Sequence, residues 1–277
     1  METSQRVAAE MSGVIQNFSL DGGPHGAQGY SRLLLQLCGL VESGKSMLIN
    51  SCKYVLEGGD YTMHASDEQT NIRKTYQLTP NITIADNRGI PRMDYINIAT
   101  VYAQLGSFCP LDEPVERFTE YDALIETIEE TDLDPNYTDL TVPVFVYRGA
   151  MALHENAAVM TSFLRGCRVM TGISPIIVIT NKNSQYAAQL EREFQIMGAE
   201  HVVLLENYTR EDHMKTLRKD TDILTFLHSA LQDAIYRMQQ QRDSVKERTE
   251  RKKFLIKYMH KEVVTKEIEN LKRSWRT

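Results

Sequence analysis

In 277 residues the sequence holds one tryptophan, eight prolines and four cysteines. The cysteines, Cys38, Cys52, Cys109 and Cys167, stand far apart without C-x-x-C spacing. That excludes a disulfide framework and predicts buried thiols in a reducing compartment. No stretch approaches the roughly 18 apolar residues that read as a membrane span. The seven histidines, among them His64, His154 and His213, show neither H-E-x-x-H nor paired Cys/His ligand spacing, so zinc chemistry is not expected. The opening METSQRVAAEMSG lacks a basic segment followed by an apolar core. Glu2 after Met1 excludes myristoylation, and the closing SWRT is not a prenylation box. A cytoplasmic location is the expectation. Glycine and proline are both absent after Gly198, which predicts one or two long helices beyond Thr221.

The remaining composition, 42% hydrophobic and 25% charged, belongs to a globular protein with a sizeable core. The net charge of -6 gives no sign of a nucleic-acid partner, but the charge is unevenly spread. Between Asp112 and Asp139 eleven acids face a single base, Arg117. Phe118, Tyr121, Ile125 and Ile128 recur there at helical spacing after Pro114, so an amphipathic helix with a solvated acidic face is expected. Between Arg237 and Arg276 thirteen bases meet six acids, and Val264, Ile268, Leu271 and Trp275 form a helical stripe. Three roles stay open for this tail: docking on the domain, pairing with another chain, or contact with an anionic membrane surface.

The chain is organised around Arg32 to Asn50, where an apolar run meets G-x-x-x-x-G-K-S at Gly39, Gly44, Lys45 and Ser46. The run supplies a buried strand, the glycines let backbone N–H groups turn inward, and a helix opens with its positive end toward the bound group. This is a phosphate-binding loop, with Glu42 and Ser43 also in the cradle. Lys45 would reach the β and γ phosphates and the Ser46 hydroxyl would hold Mg²⁺. The following helix, from about Lys45 to Leu56, stops at Gly58 and Gly59. Residues 72–78 and 82–85 then read as an antiparallel hairpin at a sheet edge. It ends in Asp86-Asn87-Arg88-Gly89, a D-x-x-G whose carboxylate would face the metal and whose Gly89 N–H would meet the γ-phosphate. The polar stretch Asp60 to Asn71 occupies the place of a first mobile loop. Thr70 is the candidate third Mg²⁺ ligand there, with Thr62 and Thr75 competing.

Short β-branched runs at Pro143–Tyr147, Pro175–Thr180 and Val202–Leu205 alternate with helical periodicity. The order predicts a mostly parallel sheet with helices on both faces and the phosphate loop at the carboxyl ends of the strands. After the strand at 176–179 comes Thr180-Asn181-Lys182-Asn183-Ser184, where guanine-nucleotide proteins carry N/T-K-x-D. Here the chain resembles a GTPase-type domain. The resemblance implies a P-loop GTPase-like three-layer α/β sandwich over 30–235. Outside it, the Gly- and Pro-containing run DGGPHGAQGY makes 1–29 a flexible lead-in, and the stretch without Gly or Pro makes 236–277 a basic C-terminal helix. The resemblance also implies GTP or GDP with Mg²⁺ as ligands, and Asn181 and Lys182 at the base. Ser184 replaces the aspartate of the pattern, and a hydroxyl cannot form the charged bidentate pair to guanine, so ATP stays an alternative.

The segment Glu206-Asn207-Tyr208-Thr209-Arg210-Glu211 resembles the last base-contacting loop of the interferon-induced protein 44 and 44-like group. That likeness adds Asn207 and Tyr208 to the expected base contacts and implies a role in innate immunity. About 25 residues from Lys45 to Thr70 leave no room for the helical insertion of G-protein α subunits. Ile90 stands where Ras-like enzymes place a water-orienting glutamine, and Val41 where they keep glycine. Both departures imply slow hydrolysis, to be completed by a partner or by a second copy of the chain. A non-hydrolysing scaffold that recruits protein partners is the competing expectation.

Overall fold

The computed structural model describes residues 2–66, 72–115, 118–134 and 137–274. Elements follow in the order α1 (Glu2–Gln16), β1 (Arg32–Gly39), α2 (Lys45–Glu57), β2 (Lys74–Thr79), β3 (Ile82–Asp86), α3 (Tyr95–Leu105), α4 (Tyr121–Glu130), β4 (Asp139–Arg148), α5 (Ala157–Thr171), β5 (Ile176–Thr180), α6 (Ala187–Ile196), β6 (His201–Leu204), α7 (Leu217–Met238) and α8 (Ser244–Ser274). The six strands form one sheet in the order β2-β3-β1-β4-β5-β6. All neighbours run parallel except β2, which pairs antiparallel with β3. This is the expected three-layer, mostly parallel α/β sandwich, with a long C-terminal helical extension.

Strand alternation divides the core into two layers. Leu33, Leu35 and Leu37 of β1 and Val142, Val144 and Val146 of β4 face α2 and α7. Cys38, Phe145, Tyr147, Ile177 and Ile179 face the layer containing α3, α5 and α6. With both faces covered, β4 and β5 are buried along almost their whole length, which is why they read as continuous apolar runs. The cysteines are free; Cys38, Cys52 and Cys167 are buried and Cys109 is partly so. Burial pushes the Cys38 thiol up to about 12, so it is inert at neutral pH.

Two terminal regions differ from the sequence expectation or narrow it. Residues 2–16, read as flexible lead-in, form α1, which packs on α7 through Ala8 and Ile15. Its buried stripe relies on small and isolated apolar residues, too thin a pattern to outweigh the glycine-rich run that begins at Gly22. In the tail, Leu255 and Met259 of α8 are buried in the α3–α5 layer, and the rings of Phe254 and Tyr258 lie 6.0 and 5.2 Å from that of Tyr102. The first half of the tail therefore docks on the domain. Further along, Val264 and Ile268 are exposed. The acidic residues Asp122, Glu126 and Glu129 of α4 face outward while Leu124, Ile125 and Ile128 are buried. Among the described residues no helix is long and apolar enough to cross a membrane.

Candidate functional site

A cleft of about 410 Å³ opens at the carboxyl ends of the central strands. Its floor is the turn from β1 into α2. Gly39 ends β1 at φ 150°, and a Cβ there would stand 2.3 Å from the Val146 carbonyl oxygen, so no other residue leaves the strand at this point without displacing β4. Gly44 caps α2 in the left-handed region, at φ 93°. A Cβ on it would crowd Asn207 Nδ2 at 3.2 Å and Thr180 Cγ2 at 3.3 Å. The two glycines shape the loop and bring it close to the other wall.

Lys45 and Ser46 open α2 and are nearly buried. Lys45 Nζ donates to the Leu40 carbonyl at 3.0 Å, so the ammonium is folded over the loop. Burial lowers its pKa, opposed by the nearby Asp86 and Cys38. Ser46 Oγ donates to Asp86 Oδ2 at 2.9 Å. A hydroxyl and a carboxylate in contact at the helix end are hard oxygen donors of the kind Mg²⁺ takes when phosphate oxygens complete its shell. No group of three or more His, Cys, Asp or Glu that could cage a metal exists among the described residues. Gly89 closes this end, where a Cβ would meet Lys45 Nζ at 3.0 Å. Ile90 is stitched to the loop, its N–H donating to Gly39 O at 3.1 Å and its carbonyl accepting from Val41 N at 2.9 Å. The Ile90 side chain is buried in the core and Val41 is 37% exposed at the cleft.

The other end is built from the loops after β5 and β6. Thr180 Oγ1 donates to the Ser43 carbonyl at 3.0 Å, and Asn207 Nδ2 donates to that of Gly44 at 3.3 Å. These bonds fasten the two loops to the phosphate loop. Asn181, at φ 54°, lines the cleft with Glu206 and Asn207. One oxygen of the Glu206 carboxylate accepts from Asn183 N at 3.0 Å and Nδ2 at 3.1 Å.

Of the residues expected from sequence, the cleft brings together Glu42, Ser43, Gly44, Lys45 and Ser46 with Asp86 and Gly89 at one end, and Asn181 and Asn207 at the other. Gly39 lies just below it, shaping the turn. Lys182 and Tyr208 are not in the lining. Lys182 forms an ion pair with Asp222 of α7. Tyr208 is fully buried, its hydroxyl 2.7 Å from Asp220 Oδ1 and its ring packed edge-on to Tyr54. It anchors the loop from behind. Ser184 is also turned away, its hydroxyl donating to the Gly149 carbonyl. Thr70 lies outside the described residues.

Sequence reasoning missed several lining residues. Glu206 lay inside a segment already singled out, and its acidity next to a base loop lacking its aspartate was the available signal. Asn97, Thr100 and Gln104 of α3 and Phe118 also line the cleft, with no local motif to mark them.

No protein-family model matches the chain, and no curated protein matches it in sequence. Solved structures similar to it include a dimerization-deficient mutant of Toc33 from Arabidopsis thaliana, at 13% identity and a TM-score of 0.42, over 83% of this chain and 92% of that one. Toc33 from Arabidopsis thaliana in complex with GDP and Mg²⁺ is similar at 15% identity and a TM-score of 0.41, over 83% and 92%. A third, from work on dimerization and GTPase activity of the chloroplast translocon components atToc33 and psToc159, matches at 14% identity and 0.43, over 83% and 91%. At these values the site is read from the chain's own residues.

Proposed function

We propose that the protein binds guanine nucleotides with Mg²⁺ as a GTPase-like switch of slow intrinsic turnover. The observation that carries the reading is the convergence of Lys45, Ser46, Asp86 and Gly89 at one end of a single cleft, with Ser46 and Asp86 in direct contact. Backbone N–H groups at the start of α2 and the Lys45 ammonium would hold phosphate oxygens. Ser46 and Asp86 would hold Mg²⁺, with Thr70 the candidate third ligand. The bound ion would neutralise β- and γ-phosphate charge. Gly89 would offer its N–H to the γ-phosphate, which makes the Gly89–Asp94 loop sensitive to the presence of that group.

At the base end Glu206 supplies the carboxylate that position 184 lacks. Guanine presents N1–H and N2–H donors to an acidic acceptor, whereas adenine presents an acceptor at N1, so a carboxylate there favours guanine. Asn181 and Asn207 complete that end. Slow turnover follows from Ile90, which is committed to the core and cannot orient a water. The same observation supports the second reading, a nucleotide-holding scaffold for protein partners. The narrower likeness to the interferon-induced protein 44 group, and the immune role it implies, rest on the Glu206–Glu211 segment alone.

Calorimetric titration with GTP, GDP, ATP and ADP, each with and without Mg²⁺, tests the reading. Guanine nucleotides should bind at least about 10-fold more tightly than adenine ones, a difference of about 1.4 kcal/mol. Equal affinities would favour the ATP alternative. Turnover by the wild type that Lys45→Ala abolishes would separate the slow enzyme from the scaffold.

A further inference from the structure

Arg73 immediately precedes β2 and, among the described residues, heads the fully buried side chains by size, with 0% exposure. Its guanidinium is surrounded by neutral acceptors drawn from four segments. Nε donates to Asn87 Oδ1 at 2.8 Å, in the loop after β3. Nη2 donates to Gln36 Oε1 of β1 at 2.6 Å and to the Gln104 carbonyl of α3 at 2.7 Å. Nη1 donates to the carbonyl of Cys109.

The acceptors are themselves linked. Asn87 Nδ2 donates to the same Gln36 oxygen at 3.2 Å, and Arg88 N donates to Gln104 Oε1 at 3.1 Å. The backbone of Arg73 is held too, with N donating to Glu113 O at 3.0 Å and O accepting from Asp112 N at 2.7 Å. Burying a guanidinium is costly even when its donors are met, and an apolar side chain of similar volume is often as stable or more so. A planar fork that fixes four segments at defined angles is something an apolar side chain cannot replace.

The location shows what the fork holds. Asn87 follows Asp86, the residue in contact with Ser46. Lys74, next to Arg73, is the ladder partner of Asp86. Arg88 precedes Gly89, which approaches Lys45 Nζ. The segment proposed to face the γ-phosphate and metal, residues 86–89, is therefore tied to β1 and α3 through one side chain behind the cleft, and Arg73 is not in its lining.

We propose that Arg73 is a positioning residue that sets the preference for nucleoside triphosphate over diphosphate, by fixing residues 86–89 to β1 and α3. The inference rests on the nucleotide reading above and adds a residue outside the nucleotide's reach.

The test compares wild type, Arg73→Met, Arg73→Lys and Gln36→Leu in the full chain, by Mg²⁺-GTP and Mg²⁺-GDP titration and by amide hydrogen exchange without nucleotide. Arg73→Met should lose about 10- to 100-fold in GTP affinity and less than about 3-fold for GDP, because only the triphosphate uses the positioned loop. Arg73→Lys should not restore the ratio, since one ammonium cannot reach four acceptors in fork geometry. Amides of 87–90 should exchange at least about 10-fold faster in Arg73→Met while those of β5 are unchanged. Equal loss for GTP and GDP, or no change in their ratio, would overturn the proposal. If Arg73→Met does not fold, Gln36→Leu decides. It removes the acceptor shared by Arg73 and Asn87 and should lower only GTP affinity, by about 3- to 10-fold; an unchanged ratio overturns. Should the wild type bind no guanine nucleotide, the functional reading fails by itself. The exchange experiment still judges Arg73, and unchanged exchange at 87–90 rejects its positioning role.

Discussion

The two ends of the cleft are built differently. At the end proposed to hold phosphate the residues are adjacent in sequence, because the backbone turn from Gly39 to Ser46 leads directly into α2. At the end proposed for the base, Asn181 comes from the loop after β5 and Glu206 and Asn207 from the loop after β6, and the neighbours that the motif nominates are engaged elsewhere. Lys182 pairs with Asp222, Ser184 bonds to Gly149, and Tyr208 anchors its loop to Asp220. A phosphate is recognised by generic backbone and charge, which one short motif can encode; a base edge is recognised by individual side chains, which several positions can supply.

Variants at the two ends can break this contrast. The largest effect is expected from Lys45→Ala, which should weaken guanine and adenine nucleotides alike by at least about 100-fold, or about 2.7 kcal/mol. A loss confined to one base would mean that the two ends are not separable. Glu206→Gln should reduce the guanine-over-adenine ratio by about 10-fold and leave Mg²⁺-pyrophosphate binding unchanged. An unaltered ratio would return base recognition to another residue. Lys182→Met should change nucleotide affinity less than about 3-fold and lower stability by about 1 kcal/mol in thermal unfolding, because its partly buried ammonium is committed to Asp222. A large affinity loss would show that Lys182 swings over the base on binding.

How far each end could be read from sequence follows the same division. That Gly39, Gly44, Lys45 and Ser46 form one turn at the head of α2 was legible because the residues are contiguous, and that Asp86 and Gly89 meet them because they follow an apolar strand at a suitable distance. The parallel sheet was legible from its β-branched runs, since burial on both faces leaves little room for polar residues in β4 and β5. Lys182 and Tyr208 were misplaced because a motif gives order along the chain but not the direction of a side chain, and α7 supplies the carboxylates, Asp222 and Asp220, that capture both. Asn97 and Thr100 were invisible because α3 reaches the cleft only through tertiary packing. Helix α1 was missed because its buried face relies on Ala8 and Ile15, a weak stripe that only α7 makes worth burying.

A smaller effect concerns protons at the phosphate end. Burial lowers the Lys45 pKa from its ordinary value of 10.5. Between the lowered value and 10.5 the unfolded chain holds a proton that the folded one has released, so Lys45 favours folding increasingly as pH rises through that window. Phosphate oxygens would favour the charged form and restore the proton. Nucleotide binding at a pH within that window should therefore take up protons, seen as a dependence of binding enthalpy on buffer ionisation enthalpy, and Lys45→Met should remove that uptake. Equal uptake in both proteins would place the titrating group elsewhere.

The central claim is one cleft with a general phosphate end and a guanine-selecting base end held by Glu206. Its most direct test is competitive titration of Mg²⁺-GTP against Mg²⁺-ATP on the wild type and Glu206→Gln. The account predicts guanine preference in the wild type and its reduction in the variant, with pyrophosphate affinity equal in both. Binding of GTP and ATP with one affinity in the wild type, or preference unchanged without the carboxylate, would contradict it.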